Sequence, residues 1–254
     1  MPRYRIQFSY DGTDYHGWQL QPNALSVQER INQALSTLLR EQIETVGAGR
    51  TDAGVHAAMM VAHFDTVAPV MELERLTDKL NRILPPDIAV AQVCQTHETF
   101  HARFDALSRT YHYVVYTGKH PFLRHYATRL YFMPDYAAMN QAAELLMDYS
   151  DFTSFSKLHT DVKTNICHIT HARWENVAED CWRFEISADR FLRNMVRAIV
   201  GTLLEVGRGR MSIAQFREVI TSRSRQVAGE SVPAKGLSLV HIAYPENQEP
   251  VCGK

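Results

Sequence analysis

The sequence lacks the features that mark a membrane protein or a metal site. No apolar run approaches the roughly eighteen residues that a membrane span needs, and the opening Met1-Pro2-Arg3 carries no apolar signal region. The four cysteines, at positions 94, 167, 181 and 252, include no C-x-x-C pair of the kind that binds zinc. No linker rich in proline, glycine and serine interrupts the chain. We therefore expect a cytoplasmic protein without a metal and without independently moving domains.

The chain also lacks an overall excess of positive charge, since its formal net charge is −1. The distribution of charge is nevertheless uneven. Residues 190–225 hold eight arginines against two acids, and residues 101–129 hold four arginines and one lysine against one acid. Such segments are usually solvated faces, but they also suit a surface that binds phosphates. Charge alone leaves both interpretations open.

Residue patterning predicts an α+β protein. The chain has 254 residues, 45% hydrophobic and 22% charged, enough for one large domain or two closely packed ones. In the first half we predict strands at 3–10, 43–46, 57–64 and 88–95 and helices at 26–40 and 72–84, with Ser26 and Glu29 forming a capping box. In the second half we predict strands at 111–117, 165–174, 182–187 and 236–244 and helices at 136–149 and 190–206. Each half then follows the ferredoxin-like order β-α-β-β-α-β.

The most informative segment is Gly-Arg-Thr-Asp-Ala-Gly-Val-His-Ala at 49–57. Its single carboxylate, Asp52, lies between two glycines and just ahead of an apolar run that predicts a buried strand. This placement presents Asp52 on a tight loop at the entrance of a sheet. From spacing alone, the commoner role is a turn aspartate that bonds its own backbone.

The segment 49–57 resembles the catalytic signature of the tRNA pseudouridine synthase A family. The likeness continues in family order through Tyr10-Asp11-Gly12-Thr13, Gly17-Trp18-Gln19, residues 81–86, Phe100-His101-Ala102-Arg103-Phe104, residues 109–113, Asp151-Phe152-Thr153, residues 191–197 and Gly236-Leu237. It implies two ferredoxin-like or RRM-like halves, 1–105 and 106–254, that share an extended antiparallel sheet with a central active-site cleft. It also implies isomerisation of uridine to pseudouridine at positions 38, 39 and 40 of the tRNA anticodon stem-loop. A homodimer that needs no cofactor is the implied state.

The resemblance assigns three catalytic residues. Asp52 is the nucleophile, Tyr111 stacks on the target base and transfers a proton, and Arg197 forms an ion pair that keeps Asp52 charged. Without the resemblance, Tyr111 would be interpreted as a strand tyrosine that packs against its neighbours. The predicted helix with Arg190, Arg193 and Arg197 would be interpreted as a basic surface helix. Arg50, Arg103, Arg109 and Arg193 are further candidates for contacts to the sugar-phosphate backbone, although a structural ion pair is an alternative for Arg50. His56 is either structural or functional.

One segment departs from the family pattern. Where relatives often carry Lys-Thr-x-x-Arg, this chain has Lys163-Thr164-Asn165-Ile166-Cys167, which puts the contacts of that arginine in doubt but not the catalytic set. Two other classes remain. A non-catalytic RNA-binding protein with RRM-like halves would usually show an RNP-type K/R-G-F/Y pattern, which we do not find. A carboxylate glycosidase needs two acids flanking the scissile bond, and the signature has one.

Overall fold

The structure is a computed structural model that describes residues 1–157 and 164–246, so that Lys163 and Cys252 lie outside the described residues. Within these two ranges the chain forms nine strands and five α-helices, and the α+β class is confirmed. In chain order they are β1 (Arg3–Tyr10), α1 (Val27–Leu39), β2 (Val46–Gly47), β3 (His56–Asp65), α2 (Leu73–Ile83), β4 (Ile88–Thr96), β5 (Ser108–Tyr116), β6 (Thr128–Arg129), α3 (Tyr136–Glu144), β7 (Ile169–Ala178), β8 (Cys181–Ala188), α4 (Met195–Gly207), α5 (Ile213–Ser222) and β9 (Leu237–Ala243). None of the helices in the described ranges is long and apolar enough to cross a membrane.

Among the described residues, the first compact unit comprises Met1–Leu107 and residues 239–246. Its strands lie in the order β4-β1-β3-β9, with β2 paired to β3. Strand β1 is central and antiparallel to both neighbours, so that Ile6 lies opposite Ala62 on one side and Val93 on the other. Because Ile6 and Phe8 are fully buried, the alternation predicted for 3–10 places this face in the core.

Helix α1 begins where the sequence predicts, but its capping differs. The Ser26 hydroxyl accepts the Glu29 N–H at 3.2 Å, which satisfies one exposed amide of the first turn. The reciprocal bond of the predicted capping box is not formed. Instead the Glu29 carboxylate accepts from the Gln33 side chain at 3.2 Å, one turn along the helix. The helix ends at Leu39 and is capped by Arg40, whose φ of 59° is left-handed.

The strand predicted at 43–46 is wrong over most of its length. Only Val46 and Gly47 pair with β3. The backbone ahead of them bonds to side chains of α1, because Ile43 N–H donates to the Ser36 hydroxyl at 2.9 Å and Thr45 N–H donates to Asn32 at 3.1 Å. These amides are therefore not available to a neighbouring strand.

The second compact unit comprises Ser108–Ser238. Strands β5, β8 and β7 lie side by side and antiparallel, with Tyr111 opposite Ile186. The short β6 pairs with β5 in parallel, so the sheet is mixed and the expectation of an antiparallel sheet does not hold for this pair. Trp174 and Phe184 are buried at the centre of the unit, with ring centroids 5.1 Å apart.

Two helical segments of this unit differ from the prediction. The helix predicted at 136–149 ends at Glu144 and continues as a 3-10 turn at Leu145–Asp148. Helix α5 is not predicted at all, although Ser212 and Gln215 form a complete capping box and Phe216, Val219 and Ile220 face the core at helical spacing. Both signals are present in the sequence.

Candidate active site

The loop that carries Asp52 joins β2 to β3 and has no regular secondary structure. Asp52 is partly buried, and its carbonyl accepts the Val55 N–H at 3.1 Å, which closes a turn over Ala53 and Gly54. Gly54 has a φ of 75°, a conformation that side-chain-bearing residues rarely adopt. The tight turn expected at the entrance of a strand is therefore present.

The segment Tyr10–Trp18 braces this loop from the side of β1. The Tyr10 hydroxyl bonds the Thr51 hydroxyl at 2.8 Å, and the Trp18 N–H donates to the Thr51 carbonyl at 3.3 Å. The Gly54 N–H donates to the Tyr15 carbonyl at 3.2 Å. Both ends of the Asp52 turn are thus fixed by one preceding segment.

Two glycines of that segment let its backbone approach the loop. A Cβ on Gly17, whose φ is +94°, would lie 2.3 Å from the Thr51 carbonyl oxygen. A Cβ on Gly12 would lie 2.1 Å from the Val55 carbonyl oxygen. Sequence reasoning matched this block to the family but missed its role, because close approach between segments about forty residues apart leaves no local pattern.

His56 is buried and turned toward the same bracing segment. Its Nδ1 lies 3.1 Å from the Gly12 amide nitrogen, which donates to it, and 3.0 Å from an Asp11 carboxylate oxygen. These contacts favour the structural interpretation of His56, as an anchor between the start of β3 and the 11–12 turn.

A second loop of this unit carries Arg103 and is held by two imidazoles. His63, on β3, accepts the Ala102 N–H through Nδ1 at 3.1 Å. His101 accepts the N–H groups of Arg103 and Phe104 through its own Nδ1, each at 3.2 Å. An imidazole nitrogen accepts a hydrogen bond only when it carries no proton, so both rings are neutral in this arrangement. Burial lowers the pKa of His63 to about 4, with the charge of Arg3 adding to the effect, and burial also lowers the pKa of His101.

Tyr111 lies on β5 in the second unit and is 9% exposed. The Phe191 ring packs edge-on against it, with ring centroids 5.2 Å apart. Two residues along the same strand, Tyr113 is fully buried and its hydroxyl bonds both the Thr128 hydroxyl at 2.6 Å and the Pro233 carbonyl at 2.9 Å. Burial raises the pKa of Tyr113, while the Thr128 bond and the charge of Arg197 oppose that shift.

Arg197 lies in the first turn of α4, which begins at Met195 rather than at 190 as predicted. Asn194 interrupts the helical path with a φ of 66°, and the Arg193 carbonyl accepts the Lys157 N–H at 3.1 Å instead of a helical amide. Arg190 and Arg193 therefore precede the helix. The predicted stripe of three arginines on one helix face is wrong, and Arg197 alone of the three lies on α4.

The segment 228–233 holds Arg197 in place. Arg197 Nε donates to the Val232 carbonyl at 2.8 Å, and the Val232 N–H donates to the Arg197 carbonyl at 3.2 Å. The segment lies directly on α4, because a Cβ on Gly201 would stand 1.8 Å from the Glu230 carbonyl oxygen. Asn194 and Arg225 both bond the Ser231 hydroxyl, at 2.6 and 3.0 Å. No local pattern in the sequence indicates this support, because the contacting residues lie about thirty-five positions apart.

The four candidate phosphate-binding arginines lie in different settings. Arg50 is exposed and makes no ion pair with any residue that the structure describes, so the alternative of a structural salt bridge is not supported. Arg103 is exposed, with its guanidinium 5.8 Å from the Phe104 ring centroid. Arg109 is partly buried and donates to the Asp189 carbonyl at 2.8 Å, and Arg193 is exposed. Among residues 1–157 and 164–246, no group of three or more His, Cys, Asp or Glu side chains is arranged to hold a metal.

The segment that departs from the family pattern is ordered as far as it is described. The backbone of Asp151 forms an isolated bridge with Ile166, and the Phe152 N–H donates to the Asn165 carbonyl at 3.1 Å. The Cys167 N–H donates to the Ser150 carbonyl at 2.9 Å. The position of the usual arginine is therefore occupied by a buried cysteine that helps to pack this connection.

Comparison with known proteins gives a consistent result. The family model described as tRNA pseudouridine synthase matches residues 6–105 and 142–245, which include Asp52 and Arg197 but not Tyr111. A protein named tRNA pseudouridine synthase A from Bacteroides thetaiotaomicron is 60% identical over 249 residues, covering 97% of this chain and 92% of the relative. Proteins of the same name from Bacteroides fragilis and Bacillus subtilis are 57% and 40% identical, covering 96% and 95% of this chain and 97% and 99% of the relatives.

Proposed function

We propose that this chain, which belongs to the tRNA pseudouridine synthase family, isomerises uridine to pseudouridine at positions 38, 39 and 40 of the tRNA anticodon stem-loop, with Asp52 as the nucleophile. The observation that carries the proposal is the signature loop at 49–57, whose carboxylate is presented on a turn that Gly12 and Gly17 brace by direct backbone contact.

The reaction breaks the bond between N1 of the base and C1′ of the ribose, turns the detached base, and joins it again through C5. A carboxylate suits this sequence because it can form a bond and leave again. Three first steps are compatible with Asp52: attack at C1′, assistance in removing the C2′ proton, and addition to C6 of the base. Each leaves Asp52 as the group that acts while the base is detached.

Tyr111 and Arg197 complete the proposed catalytic set. The Tyr111 ring stacks on the flipped uracil, and its hydroxyl transfers a proton at the base or the sugar. Arg197 pairs with Asp52 and keeps that carboxylate charged in a closed site. The bonds between Arg197 and Val232 support this role, because they fix the guanidinium from one side.

The remaining assignments concern the RNA and the assembly. We assign contacts to the tRNA sugar-phosphate backbone to Arg50, Arg103, Arg109 and Arg193, since arginine pairs with phosphate in two-point geometry. The stacked target uridine must leave its helix to react, which requires that the flanking phosphates be held. We further propose that the enzyme acts in the cytoplasm as a homodimer.

The decisive experiment measures tritium release from unmodified tRNA labelled at C5 of uridine. The parent protein should release tritium, and replacing uridines 38, 39 and 40 by cytidine should abolish the release. Asp52→Asn should bind the same tRNA with parental affinity and release none, because it removes the charge with little change of shape. A non-catalytic RNA-binding protein would bind without release, and a glycosidase would liberate free uracil. Release from Asp52→Asn within tenfold of the parent would remove Asp52 from the nucleophile role.

A further inference from the structure

A group of arginines and large apolar side chains lies on the surface of the second unit, where the chain following β6 meets the end of α4. We call it the arginine–aromatic patch, and its members are Arg129, Tyr131, Phe132, Met133, Arg208 and Arg210. Five of them line an open depression of about 470 Å³, together with Gly207, and Arg129 lies beside it over the Tyr131 ring. Residues 129–133 fall outside the stretches that the family model matches.

The patch exposes apolar surface that the fold does not use. Tyr131 is 85% exposed and Met133 is 68% exposed, although both are large apolar side chains. Two of its rings are paired with guanidinium groups: Arg129 lies 5.0 Å from the Tyr131 ring centroid and Arg208 lies 4.2 Å from that of Phe132. Each arginine covers one side of its ring, and the exposure of Tyr131 leaves its ring accessible to a second planar group.

The patch also carries uncompensated positive charge. Glu205 is the carboxylate that contacts it, at 3.1 Å from Arg208 and 3.8 Å from Arg210. Arg129 forms no ion pair with any residue in the described part of the chain. Asp135, two residues beyond Met133, is occupied as the N-cap of α3, where it accepts the Ala138 N–H at 3.0 Å. Among the described residues, Arg208 and Arg210 therefore share the Glu205 carboxylate, while Arg129 adds a third positive charge without an ion pair.

The backbone under the patch is fixed from two directions. Arg129 pairs with Tyr116 in the β5–β6 ladder, and the following Leu130 N–H donates to the Tyr116 carbonyl at 2.7 Å. On the other side the Asp135 N–H donates to the Gly207 carbonyl at 2.9 Å. Gly207 itself leaves no room for a side chain, since a Cβ there would lie 2.4 Å from the Met139 sulfur. The arginines and rings are thus presented on a supported surface.

We propose that the arginine–aromatic patch binds unpaired nucleotides of the tRNA substrate, with a base stacked on Tyr131 and the adjoining phosphates on Arg129, Arg208 and Arg210. Aromatic rings that alternate with arginines suit single-stranded nucleic acid, because every base has a face to stack and every nucleotide a phosphate to neutralise. A second copy of this chain, which carries the same positive charges, is a poorer complement. The inference rests on the proposed function for the identity of the substrate but assigns a binding surface separate from the catalytic residues.

The test uses the full-length protein and an unmodified tRNA transcript. Tyr131→Ala should raise Kd by roughly 5- to 100-fold, the range that loss of one stacked base produces. Tyr131→Phe keeps the ring and should remain within twofold of the parent. The matched control is Phe122→Ala, which removes an 89% exposed ring of the same unit outside the patch and should leave Kd unchanged. Turnover at saturating tRNA should be parental in Phe122→Ala.

Charge is tested separately by salt titration. The parental log–log slope of affinity against salt should become shallower by about 0.7–0.9 for each phosphate contact removed, in Arg129→Ala and in the double variant Arg208→Glu with Arg210→Glu. Parental Kd in Tyr131→Ala, or a parental slope in the charge variants, overturns the proposal. So does a change from dimer to monomer in Tyr131→Ala, which would assign the patch to a second copy. If instead the parent makes no pseudouridine at 38–40 while Tyr131→Ala still weakens tRNA binding, the proposed function fails and the patch stands.

Discussion

Two glycines near Asp52 differ in the space around them. Gly17 has a left-handed φ and would place a Cβ 2.3 Å from the Thr51 carbonyl oxygen, whereas a Cβ on Gly49 would meet nothing within 4 Å. Gly49 belongs to the signature and Gly17 does not. The sequence therefore draws attention to the glycine whose replacement the fold tolerates better.

We expect Gly17→Ala to lower the free energy of unfolding by roughly 1–3 kcal/mol, because it adds left-handed strain and pushes the Asp52 turn away from its brace. Turnover should fall at least about tenfold, since small displacements of a reacting group are costly. Urea denaturation and tritium release measure the two effects. Gly49→Ala is the matched control and should unfold within about 0.5 kcal/mol of the parent. Equal stability and turnover in both variants would show that the brace does not position Asp52.

The role of the Tyr111 hydroxyl can be tested separately from the role of its ring. Tyr111→Phe keeps the stacking surface and the edge-on contact with Phe191. If the hydroxyl transfers a proton, single-turnover rates should fall by about 10²–10⁴-fold with Kd for tRNA nearly unchanged. Tyr113→Phe is not a suitable control, because its buried hydroxyl bonds Thr128 and Pro233. Weaker binding with parental turnover would make Tyr111 a contact residue only.

Substitutions of Arg197 test its pairing with Asp52. Arg197→Lys keeps the positive charge but loses the planar guanidinium that binds a carboxylate at two points. Arg197→Met loses both the charge and the guanidinium. A carboxylate without its cation is protonated more readily, so the acidic limb of the pH–rate profile should move to higher pH in Arg197→Met, with Arg197→Lys in between. Val232 should retain its backbone bond to residue 197 in each variant. A profile that stays at the parental position would exclude the pairing.

At the scale of elements, the loop at 100–106 depends on neutral histidines. Burial lowers the pKa of His63 from its usual value near 6.5 to about 4 in the folded state, so the unfolded chain binds more protons between these values. The contribution of neutral His63 to the free energy of unfolding is therefore present above about pH 6.5, and it is lost as the pH falls toward 4. Between pH 7 and pH 5 this loss amounts to roughly 2 kcal/mol.

We expect His63→Asn to show a shallower decline in the free energy of unfolding between pH 7 and pH 5 than the parent. The side-chain carbonyl of the introduced asparagine keeps an acceptor for the Ala102 N–H but cannot take up a proton. Urea denaturation at the two pH values measures the difference in slope. His241→Asn, at an exposed position of β9, should follow the parent. If His63→Asn declines as steeply as the parent, another group carries the acid sensitivity.

How much of the fold and of the candidate site can be predicted from the sequence also depends on the scale. Strand β1, helix α1 and the Asp52 turn follow from alternation, capping and glycines, which are local signals. The start of α4 and the length of β2 do not follow from local signals. Lys157 bonds the Arg193 carbonyl, and Asn32 bonds the Thr45 N–H, although the local pattern assigns both backbone groups to regular structure. Of the candidate site, the family resemblance predicts Asp52, Tyr111 and Arg197 as the catalytic set, and these three roles stay predictions. The bracing by Gly12 and Gly17 and the support from Val232 arise from contacts distant in sequence.

At the scale of the whole molecule, the chain leaves the first unit at Leu107 and returns to it with β9. A fragment of residues 1–107 would therefore have the open edge of β3 where β9 belongs, and open edges promote aggregation. We expect this fragment to be poorly folded, and a chain in which a flexible linker joins residues 1–107 to 237–246 to fold better. Circular dichroism and the dispersion of amide resonances measure the difference. A well-dispersed spectrum from 1–107 alone would show that β9 is dispensable.

The return of β9 has a consequence for how the protein is made. A ribosome produces β3 and the Asp52 turn early, yet residues 66–236 must be synthesised before the neighbouring strand of β3 exists. The nascent chain therefore exposes a hydrogen-bonding edge beside the Asp52 loop for most of translation. Pauses or premature termination in that interval would release chains that hold a complete signature and an incomplete sheet. Such chains would be substrates for chaperones and proteases before they could meet a tRNA.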